Sequence, residues 1–237
     1  MSWTLVTGAA KGVGKAIVER LAMEGRDLVI HYNTSQKEAE ALANWCRAYS
    51  VRAEIIQGDF STERGVMTFI ENYLFRFSET EILINNVGNY VVQTALETPM
   101  SLWRDLFETN VFAPVALTQA LMPTLIQSKG SIINLGVAGL LGVRGDLHST
   151  AYTLTKQVLY GLTLSLSKQY ANKHVRVNMI SPGHLENSVS LPKDLSVIPM
   201  QRPGLLSEVA ALVSFLISKE AAYITGQNIE ISGGLKL

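Results

Sequence analysis

An open parallel β-sheet of about seven strands, doubly wound with α-helices on both faces, is the α/β fold this sequence predicts. Three observations predict it. Short apolar runs alternate with longer stretches whose apolar residues recur at three- and four-residue spacing, the pattern of strand–helix–strand units. The short runs are apolar almost throughout rather than at every second residue, as strands are when helices cover both sheet faces. The chain has 237 residues, 47% apolar and only 17% charged, which is ample core for one large domain. No repeat, low-complexity tract or linker-like shift divides it, so residues 1–237 read as a single domain.

The first strand is expected at 4–7, "TLVT", followed by a helix that aligns Ile17, Leu21 and Ala22 on one face. Further strands are expected at 27–32, 52–57, 81–86, 131–135, 175–180 and 228–232. Among the helical stretches between them, one spans 101–127, one carries Tyr152 and Lys156, and one aligns Val209, Leu212, Val213 and Leu216. Right-handed crossovers place such helices on both sides of the sheet. The segment 183–204, "GHLENSVSLPKDLSVIPMQRPG", is long, weakly periodic and carries three prolines. Segments of this kind in compact domains are lids or substrate loops, or else irregular crossovers.

Between the first strand and the first helix, "TGAAKGVG" places glycines at 8, 12 and 14. Gly8 allows a sharp exit from the strand. Gly12, Val13 and Gly14 open the helix with amides that can approach a pyrophosphate, favoured there by the helix dipole. Taken alone, the same glycines also serve as an ordinary turn. The second strand ends "HYNTSQK", without the carboxylate that receives the ribose 2′-hydroxyl of NAD. Lys11 lies in the glycine turn, and Asn33, Thr34 and Ser35 are small donors, so the charge pattern favours NADP(H) over NAD(H).

Tyr152 and Lys156 stand four apart in "AYTLTKQVLYGLTLSLSKQYA" and share a helix face. A phenol titrating near ~10 is a poor base at neutral pH, and a neighbouring ammonium is expected to lower it into a useful range. Spacing alone does not separate this pair from a chance pair on a helix.

"TGAAKGVG", "NNVG", "YTLTK", "VNMISPG" and "ITGQNIEISGG" occur in this order along the whole chain. Together they resemble the short-chain dehydrogenase/reductase family, a Rossmann-type fold. The likeness is to small bacterial members such as 3-oxoacyl-carrier-protein reductases and pteridine reductases. The resemblance implies that Tyr152 is the acid–base, with Lys156 its partner and ribose anchor. Asn110, in "FETNVFAP", would kink a helix and hold a relay water. Asp59 would meet the adenine amino group with Phe60 beside the ring, and Asn86 and Gly88 would line the adenosine ribose. Pro182, Gly183 and Leu185 would approach the nicotinamide, with Asn187 on its carboxamide or on phosphate. The implied reaction is NADP(H)-dependent reduction of a carbonyl, in a 3-oxoacyl thioester or small ketone, or of a pterin-like C=N bond. The family also implies a homodimer or homotetramer, built on the Tyr152 helix and the helix at 101–127; apolar residues such as Leu159, Leu162, Leu164 and Leu166 leave surface for it, though some of them must face the sheet.

One family feature is missing. The usual serine aligns with Val137 when counted from the strand, and with Gly139 when counted back from Tyr152, because the intervening loop is longer here. Neither residue has a polar side chain. The aspartate that pteridine reductases use instead is absent, and Asp146 lies elsewhere in the loop. Three readings stand: a replacement from His148, Ser149 or Thr150; a slower reaction using Tyr152 alone; or an NADP(H)-binding regulatory or scaffold protein. With Val137 and His148, His184 completes the expected substrate side.

Other functions find little in the composition. Twenty Lys plus Arg balance twenty Asp plus Glu, which gives no electrostatic reason for a nucleic-acid or anionic-membrane partner. Cys46 is the only cysteine, which excludes an internal disulfide and a cysteine-held metal cluster, and His31, His174 and His184 are scattered. No charged leader precedes a long apolar run, and no run approaches the ~20 apolar residues of a membrane span. A cytoplasmic protein is expected.

Overall fold

The protein is described here by a computed structural model covering residues 2–142 and 145–235. Val143 and Arg144, within the loop expected to border the substrate, lie outside the described residues. Seven strands form one parallel sheet: β1 (Trp3–Val6), β2 (Leu28–Tyr32), β3 (Ala53–Gln57), β4 (Thr80–Asn85), β5 (Ser131–Leu135), β6 (Arg176–Pro182) and β7 (Asn228–Ile231). Their order is β3-β2-β1-β4-β5-β6-β7. Each expected strand is present, with ends shifted by no more than two residues.

Side chains alternate faces along each strand, and both faces are buried. In β2, Leu28 and Ile30 enter one core while Val29 enters the other; in β4, Ile82 and Ile84 oppose Leu83 in the same way. The first face is covered by α1 (Gly12–Met23), α2 (Gln36–Arg47) and α7 (Leu206–Ile217). Ile17, Leu21 and Ala22 meet Val209, Val213 and Leu216 there, with Leu212 only partly buried at the margin. The second face is covered by α3 (Glu63–Arg76), α5 (Ala113–Ser128) and α6 (Thr150–Tyr170), α6 lying along β6. Leu159 of α6 is buried with Met179 of β6, while Leu164 is exposed.

The helix expected at 101–127 is interrupted. α4 (Met100–Phe107) gives way to a five-residue π-helical turn, Glu108–Phe112, before α5 begins. The widened turn buries Asn110 completely. Read as one span, Met100–Ser128 has the length and apolarity to cross a membrane, but 56% of its most apolar window is buried in the fold.

The chain builds outward from β1 to β3, then returns to place β4 on the other side of β1. At this reversal the connections leave in opposite directions and open a crevice at the carboxyl ends of the strands. A buried polar chain ties β4 and β5 to α6. Asn85 Nδ2 donates to Asn134 Oδ1 at 2.8 Å, Asn134 Nδ2 donates to Thr163 Oγ1 at 2.8 Å, and Thr163 Oγ1 donates to Leu159 O at 2.9 Å. The strap locks β4, β5 and α6 in register. Thr163→Val leaves the Asn134 amide without its acceptor, so equilibrium urea unfolding should show a loss of about 1–3 kcal/mol, with Thr163→Ser close to the native value.

Candidate active site

No side chain caps α1 at Lys11, so the amides of its first turn are left for an external acceptor. The turn before it is tightly specified. Gly8 has φ +61°, and a Cβ on Gly14 would stand 2.5 Å from Gly8 O and 2.7 Å from Asn86 Nδ2. Asn86 Nδ2 donates to Thr7 O at 2.9 Å and Gly8 O at 3.0 Å, tying the end of β4 to the turn.

His31, which its scattered position left without a role, lies under this turn. Gly8 N–H donates to His31 Nδ1 at 2.9 Å, which leaves Nε2 to carry the proton toward Gly58 O, 3.0 Å away. The imidazole is stacked on Phe60 with centroids 4.1 Å apart and planes 5° from parallel. Burial depresses its pKa to about 4, so it is neutral at physiological pH.

A cavity of about 300 Å³ opens beside the turn, lined by Gly8, Asn33, Asp59, Phe60, Asn86 and Gly88 among others. Six of the residues expected to bind the cofactor thus share one recess. Their orientation qualifies the expectation. The Phe60 ring is engaged by His31 and Phe69, and Asp59 Oδ1 already accepts from Ser61 N at 3.0 Å and Ser61 Oγ at 2.8 Å. Thr34 and Ser35 line neither cavity described here, and Lys11 is paired with Glu38 at 2.8 Å on the surface. Glu38 stands one residue beyond the acid-free stretch "HYNTSQK".

The larger cavity, about 800 Å³, lies over the carboxyl ends of β5 and β6. It gathers Val13, Gly88, Val137, His148, Tyr152, Lys156, Pro182, Gly183, His184, Leu185 and Asn187, all expected site residues. Asn187 reaches back over the glycine turn, its Nδ2 3.1 Å from where a Cβ on Gly12 would be. Only the first part of the 183–204 segment borders this cavity, through Pro192. Its far end returns to its start, where Gly204 N–H donates to His184 O at 2.9 Å.

Lys156 is buried and donates to Leu135 O at 2.8 Å, its Nζ 5.7 Å from the Tyr152 ring centroid. Burial lowers its pKa to about 8. The expected lowering at Tyr152 is not found: burial, followed by the nearby Tyr90 phenol, pushes it above its ordinary value. At this separation the ammonium does not offset the loss of solvent around the phenolate.

Asn110 lines neither cavity and instead braces the site from behind. Its Oδ1 accepts from Asn89 N at 2.8 Å, while Nδ2 donates to Asn89 O and Thr155 Oγ1, both at 3.0 Å. Thr155 Oγ1 in turn donates to Tyr152 O at 2.6 Å. Both amide hydrogens are used, so its side chain has none left for a relay.

Val137 brings no polar side chain to the cavity, and the neighbouring backbone is engaged. Gly136 N–H donates to Ile180 O at 2.7 Å, Ala138 N–H to Pro182 O at 2.9 Å, and Gly139 N–H to Glu230 Oε1 at 2.6 Å. Two of the three proposed replacements are also occupied. Ser149 Oγ donates to Asp146 Oδ2 at 3.0 Å, and Thr150 Oγ1 donates to Asp146 O at 2.6 Å. Thr153 Oγ1 donates to Asp146 Oδ2 as well. Burial opposes the Asp146 charge, but hydrogen bonds from Thr153, Ser149 and His148 outweigh it and hold the carboxyl at about 2. Asp146 therefore organises the start of α6. His148 remains at the cavity wall, joined by Tyr90, which the sequence reading missed although it follows directly on "NNVGN".

A family profile described as enoyl-(acyl carrier protein) reductase matches residues 8–236. A 3-oxoacyl-[acyl-carrier-protein] reductase of Staphylococcus epidermidis is 31% identical, the match covering 98% of this chain and 97% of the relative. The chain belongs to the short-chain dehydrogenase/reductase family. Its oxidoreductase fold is shared by an acetoin dehydrogenase of Salmonella typhimurium, at 30% identity and TM-score 0.89 over 99% of this chain and 95% of that one. A short-chain dehydrogenase of Burkholderia cenocepacia in complex with NADP matches at 28% identity and TM-score 0.91, over 100% and 98%.

Two outcomes follow. Gly14→Ala should keep a dinucleotide from seating on this turn, read by fluorescence titration with NADPH, because the added methyl displaces either Gly8 O or Asn86. His31 has a folded pKa of about 4, below the ~6.5 of an unfolded histidine, so the unfolded chain takes the proton first as pH falls. Its contribution to stability should be complete above about pH 6.5 and be lost toward pH 4. Urea midpoints measured across that window should fall less steeply in His31→Gln.

Proposed function

We propose that this protein is an NADP(H)-dependent reductase of a carbonyl or a pterin-like C=N bond, with Tyr152 as proton donor. The observation that carries the reading is the meeting of Tyr152 and Lys156 on one face of α6, inside the large cavity beyond an uncapped α1. The first-turn amides suit a pyrophosphate, and the end of β2 offers no carboxylate against a 2′-phosphate. Lys11 would reach that phosphate by exchanging its pairing with Glu38. The bound nicotinamide supplies hydride chemistry.

The raised pKa of Tyr152 suits a reductase. A phenol that stays protonated across the physiological range is ready to give its proton to the oxygen on which charge develops. Lys156, anchored at Leu135 O, places its charge beside the phenolate left behind and stabilises it until a proton returns. Asn110 and Thr155 hold the backbone of that turn of α6, and His148 and His184 border the substrate.

Two substrate classes have support: acyl-carrier-linked 3-oxoacyl thioesters, on which the Staphylococcus relative is named, and small hydroxyketone or diketone pairs, as for the acetoin dehydrogenase. The reading places the enzyme in the cytoplasm as a homodimer or homotetramer, for which Leu154, Val158 and Leu164 on α6 offer exposed apolar surface.

NADPH oxidation over acyl thioesters, diketones, simple ketones, quinones and dihydropterins tests the function. Tyr152→Phe should lower kcat by about 10²–10⁴-fold on the best of these, and undiminished turnover would falsify the mechanism. The pH profile supplies a second check. Lys156 is charged below its pKa of about 8, so kcat/KM should decline as pH rises through that value. Lys156→Arg should keep whatever activity it retains constant through that limb.

A further inference from the structure

We propose that the Tyr90 hydroxyl is the second hydrogen-bond donor to the substrate oxygen, serving where the exit of β5 has no side-chain donor. This rests on Tyr152 acting as proton donor. Gly136, Val137, Ala138 and Gly139 follow β5 without a hydroxyl among them. The hydroxyls at the start of α6 are committed elsewhere: Ser149, Thr150 and Thr153 all donate to Asp146. Recruiting Ser149 or Thr153 would strip a partly buried carboxylate of its partners, which is costly.

Tyr90 is differently placed. It follows the Asn86–Gly88 turn at the end of β4 and lines the large cavity beside Tyr152. The two rings meet edge to face, with centroids 4.8 Å apart and planes at 88°. This contact fixes the Tyr90 ring against the one residue whose hydroxyl must reach the substrate. The Tyr90 oxygen has Ser190 Oγ at 3.4 Å, a long contact on the segment that borders the cavity. A hydrogen bond this long is weak and is readily exchanged for a shorter one to a charged oxygen. Tyr90 also makes the Tyr152 phenolate less favourable, consistent with the two phenols sharing one small region.

In the reaction, two phenol O–H groups converge on one oxygen. As the carbon gains hydride, the C=O π pair moves onto that oxygen. The Tyr152 O–H bond breaks to deliver the proton, while Tyr90 keeps its own and only shares it. Nothing is oxidised or reduced beyond the substrate and nicotinamide. Because charge on oxygen is greatest in the transition state, the bond acts on kcat more than on KM.

Tyr90→Phe keeps the ring contact and removes only the donor. With acetoacetyl-CoA, or the diketone 2,3-butanedione if that is reduced faster, kcat should fall about 10²-fold. Affinity for NADPH, and for the same probe in the dead-end complex with NADP⁺, should stay within about threefold, since transition-state charge is what the donor stabilises. Adding Val137→Ser to Tyr90→Phe returns a hydroxyl at the exit of β5, and should raise kcat by a larger factor there than in the otherwise native chain. Three results overturn the assignment: a kcat within about threefold of native, which is too small for a lost oxyanion donor; a fall in probe affinity that matches the fall in kcat/KM, which makes Tyr90 a pocket wall; or an equal gain from Val137→Ser in both backgrounds. Tyr152→Phe, assayed alongside, separates the two ideas. Retained turnover in that variant rejects the proton-donor reading itself, whereas its loss beside an unaffected Tyr90→Phe rejects Tyr90 alone.

Discussion

The buried ammonium of Lys156, held by the Leu135 carbonyl at the end of β5, is the constraint around which the site is built. A fully solvated lysine would keep its proton to high pH and cost nothing to place. Burial at this one lowers its pKa to about 8, which means that the fold spends stability to keep a charge in the crevice. That expense makes sense only if the surrounding geometry is fixed, because one hydrogen bond must replace much of a hydration shell. Leu135 is the last residue of β5, and the amides three and four residues beyond it turn elsewhere, Ala138 N–H to Pro182 O and Gly139 N–H to Glu230 Oε1.

The supports arranged around Lys156 follow from this demand. Asn85, Asn134 and Thr163 clamp β4 and β5 to α6 from within the core. Asn110, carried inward by a π-helical turn, braces α6 about two turns earlier through Thr155. Asp146 gathers Ser149, Thr150 and Thr153 and settles where α6 begins. Three polar clusters from distant parts of the chain therefore hold one helix, and each is largely satisfied internally. A helix held at three points keeps Tyr152 and Lys156 aimed at the same space without help from a ligand.

The nucleotide side depends on different physics. Here the backbone itself is the binding surface, so the fold controls the path of the chain rather than the placement of charged groups. Gly8 turns with positive φ, Asn86 fastens the carbonyls on either side, and the His31 imidazole accepts the Gly8 amide from below. A histidine can do this because burial keeps it neutral, leaving one ring nitrogen as an acceptor and the other as a donor.

Much of this was legible from residue order alone. Strand positions followed from apolar runs, and helix faces from three- and four-residue spacing, because both depend on neighbours within a few positions. The shared face of Tyr152 and Lys156 and the glycine turn before α1 are local in the same sense. The interruption at Asn110 was legible only through family resemblance, since helical periodicity continues through it. What tertiary structure decided are the partnerships: Lys11 with Glu38, His31 with Gly8 and Gly58, Asp146 with the hydroxyls that had looked available, and Tyr90 against Tyr152. It also set the direction of the Tyr152 shift, upward rather than downward. Spacing identifies which groups could meet, but burial and the competition among hydrogen-bond partners are properties of the packed chain, and they determine which hydroxyls, amides and charges are left to face a substrate.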